Sequence, residues 1–214
     1  MTYQRSRTME APERAAYYEK AGWEAYYDRK WLRAFLLLVR ANRQVFGMSW
    51  PTALSAALDT VRASIAFAPL EDNDVDKAQR HMEAFYKKAR RSLDIATDAA
   101  TLARREIDYW VVHRQLALER KTDPDVDNAE GLIQSLTKLH TAQFRGRPEA
   151  MRRSAEWRAK AALAVDRITG NYSTDVAADW REVESCLYEA YQLVRSDAEE
   201  RNYNEALKEG PQRT

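Results

Sequence analysis

Apolar residues recur three and four positions apart through most of this 214-residue sequence, and little interrupts them. Glycine and proline number only six each, and most stand where such runs end. Alternating strand patterns and Asn-Gly or Asp-Gly hairpin turns are absent. The pattern predicts an all-α fold, a helical bundle of about six to seven helices with no β-sheet.

The chain divides into a loose arm at 1–9, a single helical-bundle domain at 10–196 and a polar, frayed tail at 197–214. A folded surface of roughly 10,000 Å² against about 36,000 Å² unfolded leaves enough buried area for a core without disulfides. Helix starts and stops are legible from their punctuation. Pro12 opens a helix running to Phe46, with Gly22 as its expected bend. The band Phe35–Val39 is apolar on nearly all sides, which predicts a central place in the core. Ser49 and Pro51 open an alanine-rich helix to Phe67, expected to be internal, in which Asp59 and Arg62 are spaced to pair. From Val75 to Lys121 the spacing is continuous, but one helix of about 70 Å exceeds the ~45 Å diameter of a compact domain. A break at Asp94–Asp98 is therefore preferred. Later helices end at Phe144, at Gly170, which is read as a C-terminal cap, and near Asp197.

Asp72, Asp74, Asp76 and Glu83 have the spacing of a calcium loop, yet Lys77 stands where that loop needs glycine. Capping of a helix start explains them better. The offset match between Asp74–Ala78 and Asp125–Ala129 reads equally as a weak duplication or as reuse of one cap. The aromatic group Tyr17, Tyr18, Trp23, Tyr26, Tyr27 and Trp31 is read as packing between helices. The single cysteine, Cys186, lies in an apolar run and is read as a buried, inert thiol.

Thirty-four Lys and Arg against 33 Asp and Glu leave a net charge of +1, so nucleic acid is not the expected partner. No apolar run follows the first residues as a secretory signal requires. The longest purely apolar stretch, Ala34–Val39, falls far short of the ~20 residues that span a bilayer. A cytoplasmic protein without a membrane partner is expected. None of His81, His113 or His140 has a glutamate three residues earlier, so the di-metal carboxylate motif of helical bundles is missing. Zinc-protease, nucleotide-loop and serine-hydrolase signatures are missing too. No cofactor is indicated and no metal set is read, although one histidine acting alone on a metal or haem leaves no spacing to recognise.

The most chemical stretch is Glu106–Arg120. Glu106, Trp110 and His113 follow i, i+4, i+7 and share one helical face, with Arg114 one step round. A carboxylate, an imidazole and a guanidinium beside an indole can orient a small or anionic ligand. His113 would titrate near neutrality if Glu106 lay beside it. Arg62 and His140 would join from neighbouring helices. Two functions follow. The leading one is an interaction or accessory protein that binds itself or another protein, leaning away from catalysis because no catalytic motif occurs. The alternative is a ligand-binding, conceivably catalytic pocket around Glu106, Trp110, His113 and Arg114.

Overall fold

The computed structural model describes residues 11–93, 95–123 and 129–209. Among them the chain forms eight helices and no strand. They are α1 (Pro12–Tyr27), α2 (Trp31–Phe46), α3 (Trp50–Phe67), α4 (Val75–Leu93), α5 (Ala99–Thr122), α6 (Glu130–Phe144), α7 (Pro148–Thr169) and α8 (Val176–Glu209). The arm expected at 1–9 and the repeat unit at Asp125 lie outside the described residues. Each helix packs against its neighbours in the chain, and α8 also packs along α1. The all-α bundle is thus a ring of helices around one core.

The extra helix comes from a break in the first predicted one, and the break is not at Gly22. Gly22 stays inside α1, where a Cβ would stand 3.7 Å from that of Leu37. The chain reverses at Asp28-Arg29-Lys30 instead. Arg29 takes a left-handed φ of 59°, and the Lys30 N–H reaches back to the Ala25 carbonyl at 2.8 Å, which closes the last turn of α1. The expected break between α4 and α5 is present. Asp98 caps α5 by accepting the Thr101 N–H at 2.8 Å. Ser49 likewise accepts from Thr52 at the start of α3. Asp74 accepts the Lys77 N–H at 2.8 Å, as a cap does. Gly47 ends α2 with a φ of 62°, where a side chain would be strained. Gly170 ends α7 at a right-handed φ of −80°. Its role is space, because a Cβ there would meet the Asp166 carbonyl at 2.8 Å. The left-handed residue at that end is Asn171.

The main core draws on all eight helices, α1 and α2 giving Ala15, Ala16, Val39, Val45 and Phe46, while Ala21, Ala25 and Leu37 form a small satellite between α1 and α2. Leu102, Leu132, Leu136 and Leu187 are completely buried, each stabilising the fold by about 1.5–3 kcal/mol relative to exposure. Two expectations about the core are corrected. In α2, Leu37 and Val39 are buried, but Leu36 is exposed and Leu32 is 74% exposed. The band is apolar all round because its outer side is left bare, not because the helix is central. In α3, Ala53, Ala56, Ala57 and Ala63 face inward while Trp50, Leu54, Leu58 and Ile65 face out. Small side chains let α3 approach α4 closely, and the large ones are left outside. Asp59 is buried and pairs with Lys88 of α4 rather than with Arg62.

The helical pattern also outlasts Asp197, where the sequence suggested fraying. Asp197 is 2% exposed. It accepts from Arg147 Nε at 2.7 Å and from Arg201 Nε at 3.1 Å. Arg147 also forks onto Glu200, and Arg201 reaches the Phe144 carbonyl at 3.0 Å. These links tie α8 to the α6–α7 turn and carry it on to Glu209.

Candidate functional site

Helix α5 delivers its polar face to three other helices, α3, α4 and α7. Glu106 is partly buried against α4. It accepts the Tyr86 hydroxyl at 2.8 Å and the Trp110 indole N–H at 2.9 Å. The indole bond is the i, i+4 contact that the spacing anticipates. Burial raises the Glu106 carboxyl pKa, and the Tyr86 hydrogen bond opposes that rise. Burial and the adjacent Glu106 hold the Tyr86 phenol well above its usual range. The Tyr86 oxygen also lies 3.4 Å from the Gln143 amide of α6.

His113 faces a different carboxylate from the one expected. Its Nε2 lies 3.2 and 3.3 Å from the two oxygens of Asp166 on α7. Asp166 is buried, while the imidazole is about a quarter exposed. The ring lies parallel to Tyr109, with centroids 6.0 Å apart. Arg114 closes the end of α3. It donates to the Phe67 carbonyl at 2.6 Å and to the Pro69 carbonyl at 3.0 Å, and stacks 3.8 Å over the Phe67 ring. Phe67 in turn meets Trp110 edge-on. Three of the four α5 residues therefore spend polar atoms on different partners. Glu106, Trp110 and Arg114 are linked through rings, and His113 looks the other way along the seam.

The two recruits from other helices sit elsewhere. Arg62 is exposed on α3. His140 is buried between α6, α7 and α8, with Nδ1 3.0 Å from Ser154 Oγ. Ser154 gives its only proton to the Ala190 carbonyl at 3.0 Å. The imidazole must then donate from Nδ1, which fixes its tautomer. Burial lowers the His140 pKa to about 3, and the charge of Arg158 adds to the effect. Among the described residues no three His, Cys, Asp or Glu side chains gather as a metal would need.

Sequence reasoning missed a largely buried ion pair that joins α7 to α1. Arg158 of α7 forks onto Glu19 of α1 at 3.2 and 2.5 Å, and Tyr191 of α8 donates to the same carboxylate. Burial works against the Arg158 charge, but Glu19, Tyr191 and Tyr109 outweigh it and hold the guanidinium protonated. A signal was available. Arg158 falls in the buried stripe Met151, Ser154, Ala155, Ala162, Val165, at the step where an apolar residue is due.

On the opposite scale of polarity, a groove of about 790 Å³ runs along the outside of α1 and α2. Tyr17, Tyr18 and Trp31 form its aromatic part, and Leu32, Leu36 and Leu37 its aliphatic part. Lys30, Arg33 and Arg40 are its charged lining, with no carboxylate among them. Tyr17, Tyr26, Tyr27 and Trp31 are each 45% exposed or more. The aromatic group read as interhelical packing is thus largely a surface, with edge-on contacts linking Tyr26 to Tyr27 and to Trp31. No helix among the described residues is long and apolar enough to cross a membrane.

Comparison with protein-family models, with curated proteins and with solved structures finds no match to this chain.

Proposed function

We propose that this helical bundle is an interaction protein, which associates with itself or with a partner protein through the outer face of α1 and α2. The observation that carries the reading is the groove, where Trp31, Leu32 and Leu36 stand in water beside Lys30, Arg33 and Arg40. Exposed aromatic and aliphatic side chains beside arginines are the composition of an interface centre. The α5 face supports the same reading from the other side. Glu106 and Arg114 already hold hydrogen bonds within the chain, and His113 already faces Asp166. A polar seam of this kind locks helices in register.

The test compares the wild-type chain with Trp31→Ala and Leu36→Glu. Sedimentation velocity over a range of concentrations reads self-association, and affinity capture reads other partners. The reading expects at least one of these to be present and to be lost in both variants. A strict monomer that captures nothing, or captures the same set as the variants, overturns it.

A further inference from the structure

We propose that the occupant of the α1–α2 groove is the end of α8 from a second copy of this chain. The inference rests on the interaction reading above and names its partner. Helix α8 has 34 residues, whereas the other helices have 15 to 24. Beyond the buried Asp197, residues 198–209 extend about 18 Å further as helix. Tyr203 and Leu207 stand one turn apart on this extension and are 65% and 62% exposed. Glu199 and Glu200 lie on the same face one turn earlier, where they pair with Arg195 and Arg147, and Glu205 stands exposed beyond Tyr203. Residues 198–209 hold four glutamates against Arg201 and Lys208, so the extension is acidic.

The groove has the complementary character. Its charged lining is wholly basic, and its apolar lining of Trp31, Leu32 and Leu36 offers a seat for Tyr203 and Leu207. From Trp31 to Arg40 it follows about 14 Å of helix, close to the length of the extension. A chain cannot fill its own groove. Helix α8 lies antiparallel to α1, with Tyr191 on Glu19 and Trp180 against Tyr27. The groove end at Lys30 and Trp31 therefore lies near Trp180, about 35 Å back along an unbroken helix from Tyr203. The extension leaves the bundle at the other end, beside Phe144 and Arg147. When each copy both gives and receives an extension, the contact is made twice and the pair closes.

The experiment uses the full chain. Sedimentation velocity of the wild type is expected to show a dimer whose population rises with concentration and falls with added salt, because basic groove meets acidic helix. Tyr203→Ala combined with Leu207→Ala, and separately Leu36→Glu, are each expected to weaken it roughly tenfold or more. Circular dichroism melting checks that each variant remains folded. A Leu36→Cys chain mixed with a Leu207→Cys chain is expected to cross-link with a short bismaleimide, and neither chain to do so alone. A dimer that survives the Tyr203 and Leu207 changes without the mixed cross-link overturns the exchange and leaves the interaction reading standing. A strict monomer also overturns the exchange. The interaction reading falls with it only if Leu36→Glu leaves captured partners unchanged as well.

Discussion

Helix α5 turns a carboxylate, an indole and an imidazole toward its neighbours, whereas α2 turns Trp31, Leu32 and Leu36 toward water. Both depart from the usual sidedness of a surface helix, in opposite directions. In α5 each inward polar group meets a partner fixed by another helix. In α2 the outward apolar groups stay largely in water, with Trp31 edge-on to Tyr26, and cations frame them. The first departure stabilises the fold only while every partner is present. The second adds little to the fold and leaves a surface for another molecule. Substitutions should therefore affect stability at the interior seam and association at the groove.

The sharpest way to break this contrast is Arg158→Met, which leaves Glu19 buried without its counter-ion. We expect a loss of about 3–5 kcal/mol in urea unfolding. Adding Glu19→Gln to Arg158→Met should recover much of that loss, since the pair removed together leaves no orphaned charge. A double variant as unstable as the single one would argue that packing, and not charge, sets the cost.

Acid should act next. The His140 pKa is depressed to about 3 in the folded chain, against about 6.5 when unfolded. Below pH 6.5 the unfolded chain binds the extra proton, so this contribution is complete above 6.5 and is lost as pH falls toward 3. Up to roughly 5 kcal/mol is at stake. In melting curves, the stability difference between wild type and His140→Gln should therefore stay constant above pH 6.5 and shift against the wild type as pH falls from 6.5 toward 3. Parallel curves would place the acid sensitivity in other groups.

Glu106→Leu should cost about 1–3 kcal/mol, because the Tyr86 hydroxyl and the Trp110 N–H lose their shared acceptor. Glu106→Gln keeps one acceptor oxygen and should cost less. The smallest effect is expected at the groove. Leu32→Ser should change chemical stability by less than about 0.5 kcal/mol, while the capture and sedimentation measurements respond. A large loss of stability there would show that the face belongs to the fold of a single chain.

The helical architecture was legible because period, caps and breakers agree along the chain. Pro12, Ser49, Asp98 and Pro148 stand where helices start. The turn at Arg29 was hidden because three charged residues without glycine or proline carry no marked signal, while Gly22 offered a false one. The i, i+4 bond between Trp110 and Glu106 followed from spacing. The partners Tyr86, Asp166 and Phe67 did not, since they are 20 to 53 residues away. Exposure of α2 and α3 was misread for a common physical reason. An apolar side chain looks the same in sequence whether a core or a partner covers it. Only the alanines of α3 hinted that its buried side was the one with small residues.

The ring closure of α8 on α1 has a further consequence, in the order of folding. Arg158 and Tyr191 meet Glu19 across 139 and 172 residues, among the most distant contacts of the chain. Local helix pairs can form early, but this junction must wait for the slow closure of a long loop. During synthesis Glu19 is made long before either partner leaves the ribosome. Until they arrive, the inner face of α1 carries an unpaired carboxylate that resists burial. Glu19 thus has its counter-ion available once α7 is made and its tyrosine partner once α8 is made, so the ring can close on it only when both are present.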